Sequence, residues 1–152
     1  MNKIVEDVRQ VAEGLGLSFM YETMARANVL MDKVRRRNGV VEWNGKALPI
    51  CLYVQPVSGR IAYDDVGIRR DIPSCLICFG EAMPLDYKGE EAEAIVERLK
   101  GYATEFIEGM NALGEYLPIG GDINYQVGFD RMDANLCILS MELTIEPLYG
   151  EC

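Results

Sequence analysis

The sequence predicts an α+β fold, a mainly antiparallel or mixed sheet with a β-hairpin, packed by a long amphipathic helix and shorter N-terminal helices. Three observations predict it. Between residues 90 and 113, apolar side chains recur every three or four positions: Ala92, Ile95, Val96, Leu99, Ala103, Phe106, Ile107, Met110 and Leu113. Glu91, Glu97, Lys100, Glu105 and Glu108 fall mostly off that stripe, as in a helix lying across a sheet. Asn44-Gly45 separates Val40–Trp43 from Lys46-Ala47-Leu48, and Asn-Gly accepts the positive φ angles of a type I′ hairpin turn. Residues 136–146 alternate, with Cys137, Leu139, Met141, Leu143 and Ile145 against Ile138, Ser140, Glu142, Thr144 and Glu146, so one face of that strand is apolar.

The elements follow in order. Ile4, Val5, Val8, Val11, Ala12 and Leu15 share a helical face, and Gly14 and Gly16 end that helix. Residues 17–21 are short, apolar and aromatic, as a strand would be. Thr23 is placed to cap a second helix running to Arg37, with Ala27, Leu30, Met31 and Val34 as its stripe. Arg35, Arg36 and Arg37 would fill its last turn, where cations favour the helix dipole, with Asn38-Gly39 as the stop. After the hairpin turn, the second arm is expected to continue through Pro49 to Val54 and stop near Pro56. Residues 58–71 are polar with two glycines and read as a long connection, a kind often functional. Cys75–Phe79 is apolar throughout, like a strand buried on both faces. Gly101 and Gly109 are poor helix formers and are expected at points of close packing in the long helix. After a turn at Pro118–Asp122, strands are expected over 123–130 and 136–146. The 152 residues, with no repeat or linker, read as one domain, 1–152.

Composition narrows the chemistry. The net charge of −9 argues against general nucleic-acid binding, which needs a basic face. No stretch approaches the ~18 apolar residues of a membrane span, and the start of the chain lacks the apolar core of a secretory signal. Five cysteines, an odd number without a signal, suggest reduced thiols in the cytoplasm. The absence of histidine removes Ser-His-Asp and Cys-His catalysis and histidine metal ligation.

The remaining motifs have structural accounts. Cys75-Leu76-Ile77-Cys78 has redox or zinc spacing, but on a strand sulfurs three positions apart point to opposite faces. Asp64, Asp65 and Asp71 match no EF-hand pattern, and solvation of a loop accounts for them. Glu90, Glu91 and Glu93 suit the start of a helix. Gly120-Gly121 is too short for a phosphate cradle. No enzyme, cofactor or metal is expected.

Several segments, in this order, resemble one family. They are Ala27–Asp32, Leu48–Pro56, Cys75–Phe79, Ile95–Lys100, Ile123–Val127 and the strand ending in Glu146. Together they are similar to small phage and prophage proteins of the tail terminator, or tail completion, type. The resemblance implies a structural role without catalytic residues: a ring, commonly of six copies, that caps the tail tube and joins it to the neck. It also implies a cytoplasmic protein during assembly and the virion tail thereafter, with partners that are the chain itself and tail tube or neck proteins. The alternative is an intracellular adaptor or inhibitor domain outside phages.

Charge suggests how copies would meet. The first 40 residues hold seven Lys and Arg against five Asp and Glu, while the rest is strongly acidic. A basic patch on one copy facing an acidic patch on the next would suit a head-to-tail ring. The expected subunit contacts are Arg35, Arg36 and Arg37, together with Arg60, Tyr63, Asp64, Asp65, Arg69 and Arg70 of the long connection.

Overall fold

A computed structural model describes residues 2–23, 35–37, 40–43, 45–83, 89–128 and 136–149, with the backbone alone at 35–37 and 40. The fold is α+β. The elements are α1 (Lys3–Gly14), β1 (Ser18–Glu22), β2 (Arg35–Arg37), β3 (Val40–Trp43), β4 (Lys46–Ala47), β5 (Ile50–Tyr63), β6 (Arg69–Ala82), α2 (Gly89–Ala112), β7 (Tyr125–Gly128) and β8 (Leu136–Thr144).

A five-stranded mixed sheet, ordered β1-β5-β6-β8-β7, forms the centre. β1 runs parallel to β5, and the other neighbours are antiparallel. A smaller antiparallel sheet, β2-β3-β4, contains the expected hairpin, with Trp43 opposite Lys46 and Gly45 at φ +77°.

The helices cover one face of the large sheet. Asn2 caps α1, its side-chain Oδ1 accepting from the Val5 N–H at 2.9 Å. Val5, Val8 and Ala12 point inward from α1, as do Ile95, Leu99, Ala103, Phe106 and Met110 from α2. They meet Cys51, Tyr53, Cys75, Ile77, Phe79, Cys137, Leu139, Met141 and Leu143, the inward positions of three successive strands. Phe79 and Phe106 touch edge to face, 5.7 Å between ring centres. Gly109 lets α1 and α2 approach closely, since an added Cβ there would lie 2.7 Å from a Val11 methyl. Gly101 has nothing within 4 Å of such a Cβ, so its expected packing role is not found.

The opposite face carries Leu52, Val54 and Cys78, and next to them Ile50 and Leu136 under Trp43 of the small sheet. Cys75 and Cys78 therefore sit in different clusters on opposite faces, as the strand geometry predicted.

Four expectations need correction. Arg35–Arg37 is a strand, paired with β3 as Arg35↔Glu42, Arg36↔Val41 and Arg37↔Val40, and not the last turn of a helix. The ladder to β3 overrides the local helix-stop signals. The rest of the expected second helix, 24–34, lies outside the described residues. β5 does not stop at Pro56 but runs on to Tyr63, because Pro56 falls in an irregularity between Val54 and Ser58 where the ladder requires no donor from it. Residues 58–71 are consequently not a loop: they form the far half of a hairpin, with Tyr63 opposite Arg69. β7 begins at Tyr125 rather than at Ile123, its expected end at 129–130 lying outside the described residues, and β8 ends at Thr144 rather than Glu146.

Candidate functional site

The five large apolar side chains most exposed among the described residues are Val66, Val57, Tyr149, Tyr63 and Ile61, at 80, 77, 76, 68 and 62%. Four lie on the β5–β6 hairpin, and Tyr149 lines a cleft with Arg69 and Arg70 beside its turn. Scattered single apolar residues on a surface need no account, but a cluster at one end of the molecule does.

The sequence builds this hairpin in three steps. First, β5 gains two residues over β6 between Val54 and Ser58, which lets the pair leave the plane of the sheet. Second, the ribbon narrows at Gly59, opposite Pro73. An added Cβ at Gly59 would stand 2.8 Å from the Ile72 carbonyl oxygen and 3.0 Å from the Pro73 Cα, so only glycine fits without a shift. Third, Asp64 closes the turn: its Oδ1 accepts from the N–H groups of Val66 and Ile68, each at 2.9 Å, and Gly67 supplies φ +84°.

Ion pairs tie the ribbon to the body. Glu146 follows β8 and accepts from Arg70 at 2.9 Å, with Arg60 at 3.5 Å from its other oxygen. Arg60, Arg70 and Ile72 alternate to one side of the ribbon, where Ile72 is buried. Gly59, Ile61 and Tyr63, with Asp71 and Arg69 opposite the last two, occupy the other side.

Beside the turn end of the hairpin is a cleft of about 320 Å³ bordered by Lys3, Arg69, Arg70, Tyr116 and Tyr149. Behind it, buried Asp7 accepts from the Tyr116 hydroxyl at 2.5 Å and from Lys3 Nζ at 2.7 Å. Burial, then the bond to Asp7, raises the Tyr116 pKa above that of a free phenol. With both donors taken up by Asp7, this trio pins α1 to the segment after α2.

The structure thus brings Arg60, Tyr63, Asp64, Asp65, Arg69 and Arg70 together on one hairpin. It does not bring Arg35, Arg36 and Arg37 to them. Those belong to the small sheet whose Trp43 packs against Ile50, at the opposite end of the 14-residue β5. Asp64 proves to be a turn residue rather than a free charge. The sequence reading passed over Val57, Ile61 and Val66. Their signal was present in the alternation Val57, Gly59, Ile61, Tyr63 with Ser58 and Arg60 between.

The thiols are placed for packing. Cys51, Cys75, Cys78 and Cys137 are buried thiols outside any disulfide. Burial pushes Cys75 and Cys137 up to about 11, and raises Cys51 further, so these thiols stay protonated at neutral pH and are poor nucleophiles. Cys75 also lies 3.3 Å from the Tyr53 hydroxyl. Among the described residues no group of three Cys, Asp or Glu is gathered to hold a metal, and no helix is long and apolar enough to cross a membrane. Neither a protein-family model nor a curated protein sequence matches the chain.

Proposed function

We propose that this chain is a structural protein of a phage or prophage tail, of the tail terminator type, which works by contact with copies of itself and with tube or neck proteins. The gathering of exposed Val57, Ile61, Tyr63 and Val66 on one braced hairpin carries this reading. A hairpin that spends a glycine, an Asx turn and a shared carboxylate to present apolar side chains to water fits a protein surface as its partner. The buried, protonated thiols suit a scaffold better than a cysteine enzyme. The order of segments that resembles tail terminators supplies the phage context.

The test uses tailed particles made by a strain carrying the gene. The chain should be found in purified tails by mass spectrometry, and deleting the gene should give tails of irregular length without heads. Replacing Val57, Ile61, Tyr63 and Val66 together by serine should reproduce the deletion while the purified variant keeps its circular dichroism. Normal tails from the deletion strain would overturn the proposal and favour an adaptor role.

A further inference from the structure

The edge of the hairpin carries more information than its side chains. β1 ends at Glu22 opposite Val54, so the arm of β5 beyond it has no strand on its outer side among the described residues. Which backbone groups face that side follows from Pro73. It has no N–H, and its carbonyl accepts from the Ile145 N–H at 3.3 Å, away from β5. Gly59 and its opposite number Pro73 therefore exchange no ladder bonds. Antiparallel pairs alternate between bonded and non-bonded, so Ile61↔Asp71 and Tyr63↔Arg69 are non-bonded as well. The N–H and C=O groups of Gly59, Ile61 and Tyr63 consequently point outward, along an edge that is exposed and apolar.

Natural edges are usually blunted by charged side chains, proline or a covering segment. The β6 arm meets this description, with Arg69, Arg70 and Asp71 in a row. The β5 arm does not. Its proline, Pro56, lies before the outward residues, and its one cation, Arg60, is directed to Glu146.

We propose that two copies of this chain join through these edges, β5 against β5, antiparallel and centred on Ile61, to form a four-stranded sheet of two hairpins. This register is the one that engages all three outward residues of both copies: Ile61 faces Ile61, and Gly59 faces Tyr63 of the second copy. The tyrosine ring then covers a glycine that cannot carry a side chain of its own. Arg60 falls opposite Ala62, with Asp64 and the second Arg60 on its two diagonals, and its own guanidinium is held toward Glu146. A slip one way sets Arg60 against its own twin, and a slip the other way leaves Gly59 facing the turn. The pair is twofold and closes on itself, so it is the form of the free chain, and a tail surface competes for the same edge. The inference rests on the assembly reading only in taking the hairpin as a contact.

Cross-linking tests it, in a Cys152→Ser background. Bonded partners in an antiparallel pair have Cα atoms about 5.5 Å apart and Cβ atoms slightly beyond the ~3.5–4.5 Å of a disulfide, so a short bifunctional thiol reagent spans them. Ile61→Cys should give a covalent dimer with such a reagent. Val66→Cys, on a more exposed residue far from the twofold axis, should not. Light scattering of the wild type should show a dimer at high concentration, and Ile61→Pro, which removes two symmetry-related N–H donors, should weaken it about tenfold or more. Circular dichroism identifies any variant that has lost its fold. A monomeric wild type at every concentration, or Val66→Cys cross-linking as readily as Ile61→Cys, would overturn the pairing. A monomer that is still required for normal tails would end the pairing and leave the tail role standing.

Discussion

β5 and β6 are one pair of strands with two different lives. From Ile50 to Val54, and opposite them from Leu76 to Gly80, they lie at the centre of the sheet, with β1 on one side and β8 on the other. Ile77 and Phe79 have no solvent exposure, and packing on the helices holds them. From Ser58 to Tyr63 the same two strands leave the large sheet, and beyond the tie of Pro73 to Ile145 and the buried Ile72 they rest mainly on each other, a turn and one shared carboxylate. The first half is held by burial. The second is held by local chemistry, and a two-stranded ribbon of that kind is marginal by itself. Backbone pairing is therefore continuous along the strands while its source of stability changes at Pro56.

That contrast can be broken from the buried side with the largest effect. Phe79→Ala removes a ring packed against Phe106 and should cost about 3–5 kcal/mol in urea denaturation. A loss below about 1 kcal/mol would mean that the base is not held by packing. Alkaline pH probes the same half more gently. Cys75 and Cys137 have folded pKa values raised from 9.0 to about 11, so the folded state keeps protons that the unfolded chain has released. Their contribution is intact below pH 9 and is lost as pH rises from about 9 to about 11. Denaturation at pH 7 and pH 10.5 should differ by on the order of 2 kcal/mol or more, the high-pH sample being weaker. Equal stability at the two pH values would place these thiols in water.

The smallest effect belongs to the arm. Asp64→Ala removes the acceptor for two turn N–H groups and should cost about 1 kcal/mol. Hydrogen exchange sharpens the comparison: bonded amides on the arm should exchange faster in this variant, while amides of residues 50–54 stay unchanged. Faster exchange at both ends would show that the two halves open together.

What the sequence revealed divides along the same line. The helix over 90–113, the Asn-Gly hairpin and the alternating strand after Leu136 were legible because one buried face leaves a period in the residues. The hairpin arm has water along most of both sides, so Gly59, Asp64, Asp65 and Gly67 suggested a loop, and Pro56 suggested an end. Arg35–Arg37 has no apolar alternation at all, and only the ladder to β3 makes it a strand. Arg60, Tyr63, Asp64, Asp65, Arg69 and Arg70, singled out by loop length and charge, do share one hairpin. The apolar residues between them escaped notice because their exposure is a tertiary fact.

The bond from Tyr116 to Asp7 spans 109 positions of the chain. Its consequence concerns order in time. α1 leaves the ribosome well before two of the elements that bury it, α2 and the segment carrying Tyr116. Until then its inward carboxylate has Lys3, one turn away, as its nearby partner, and the apolar stripe beside it has only the strands, without the inward side chains of α2, to cover it. A segment made early is thus among the last to be fixed, and a chain cut short before Tyr116 would carry α1 without its hydroxyl partner.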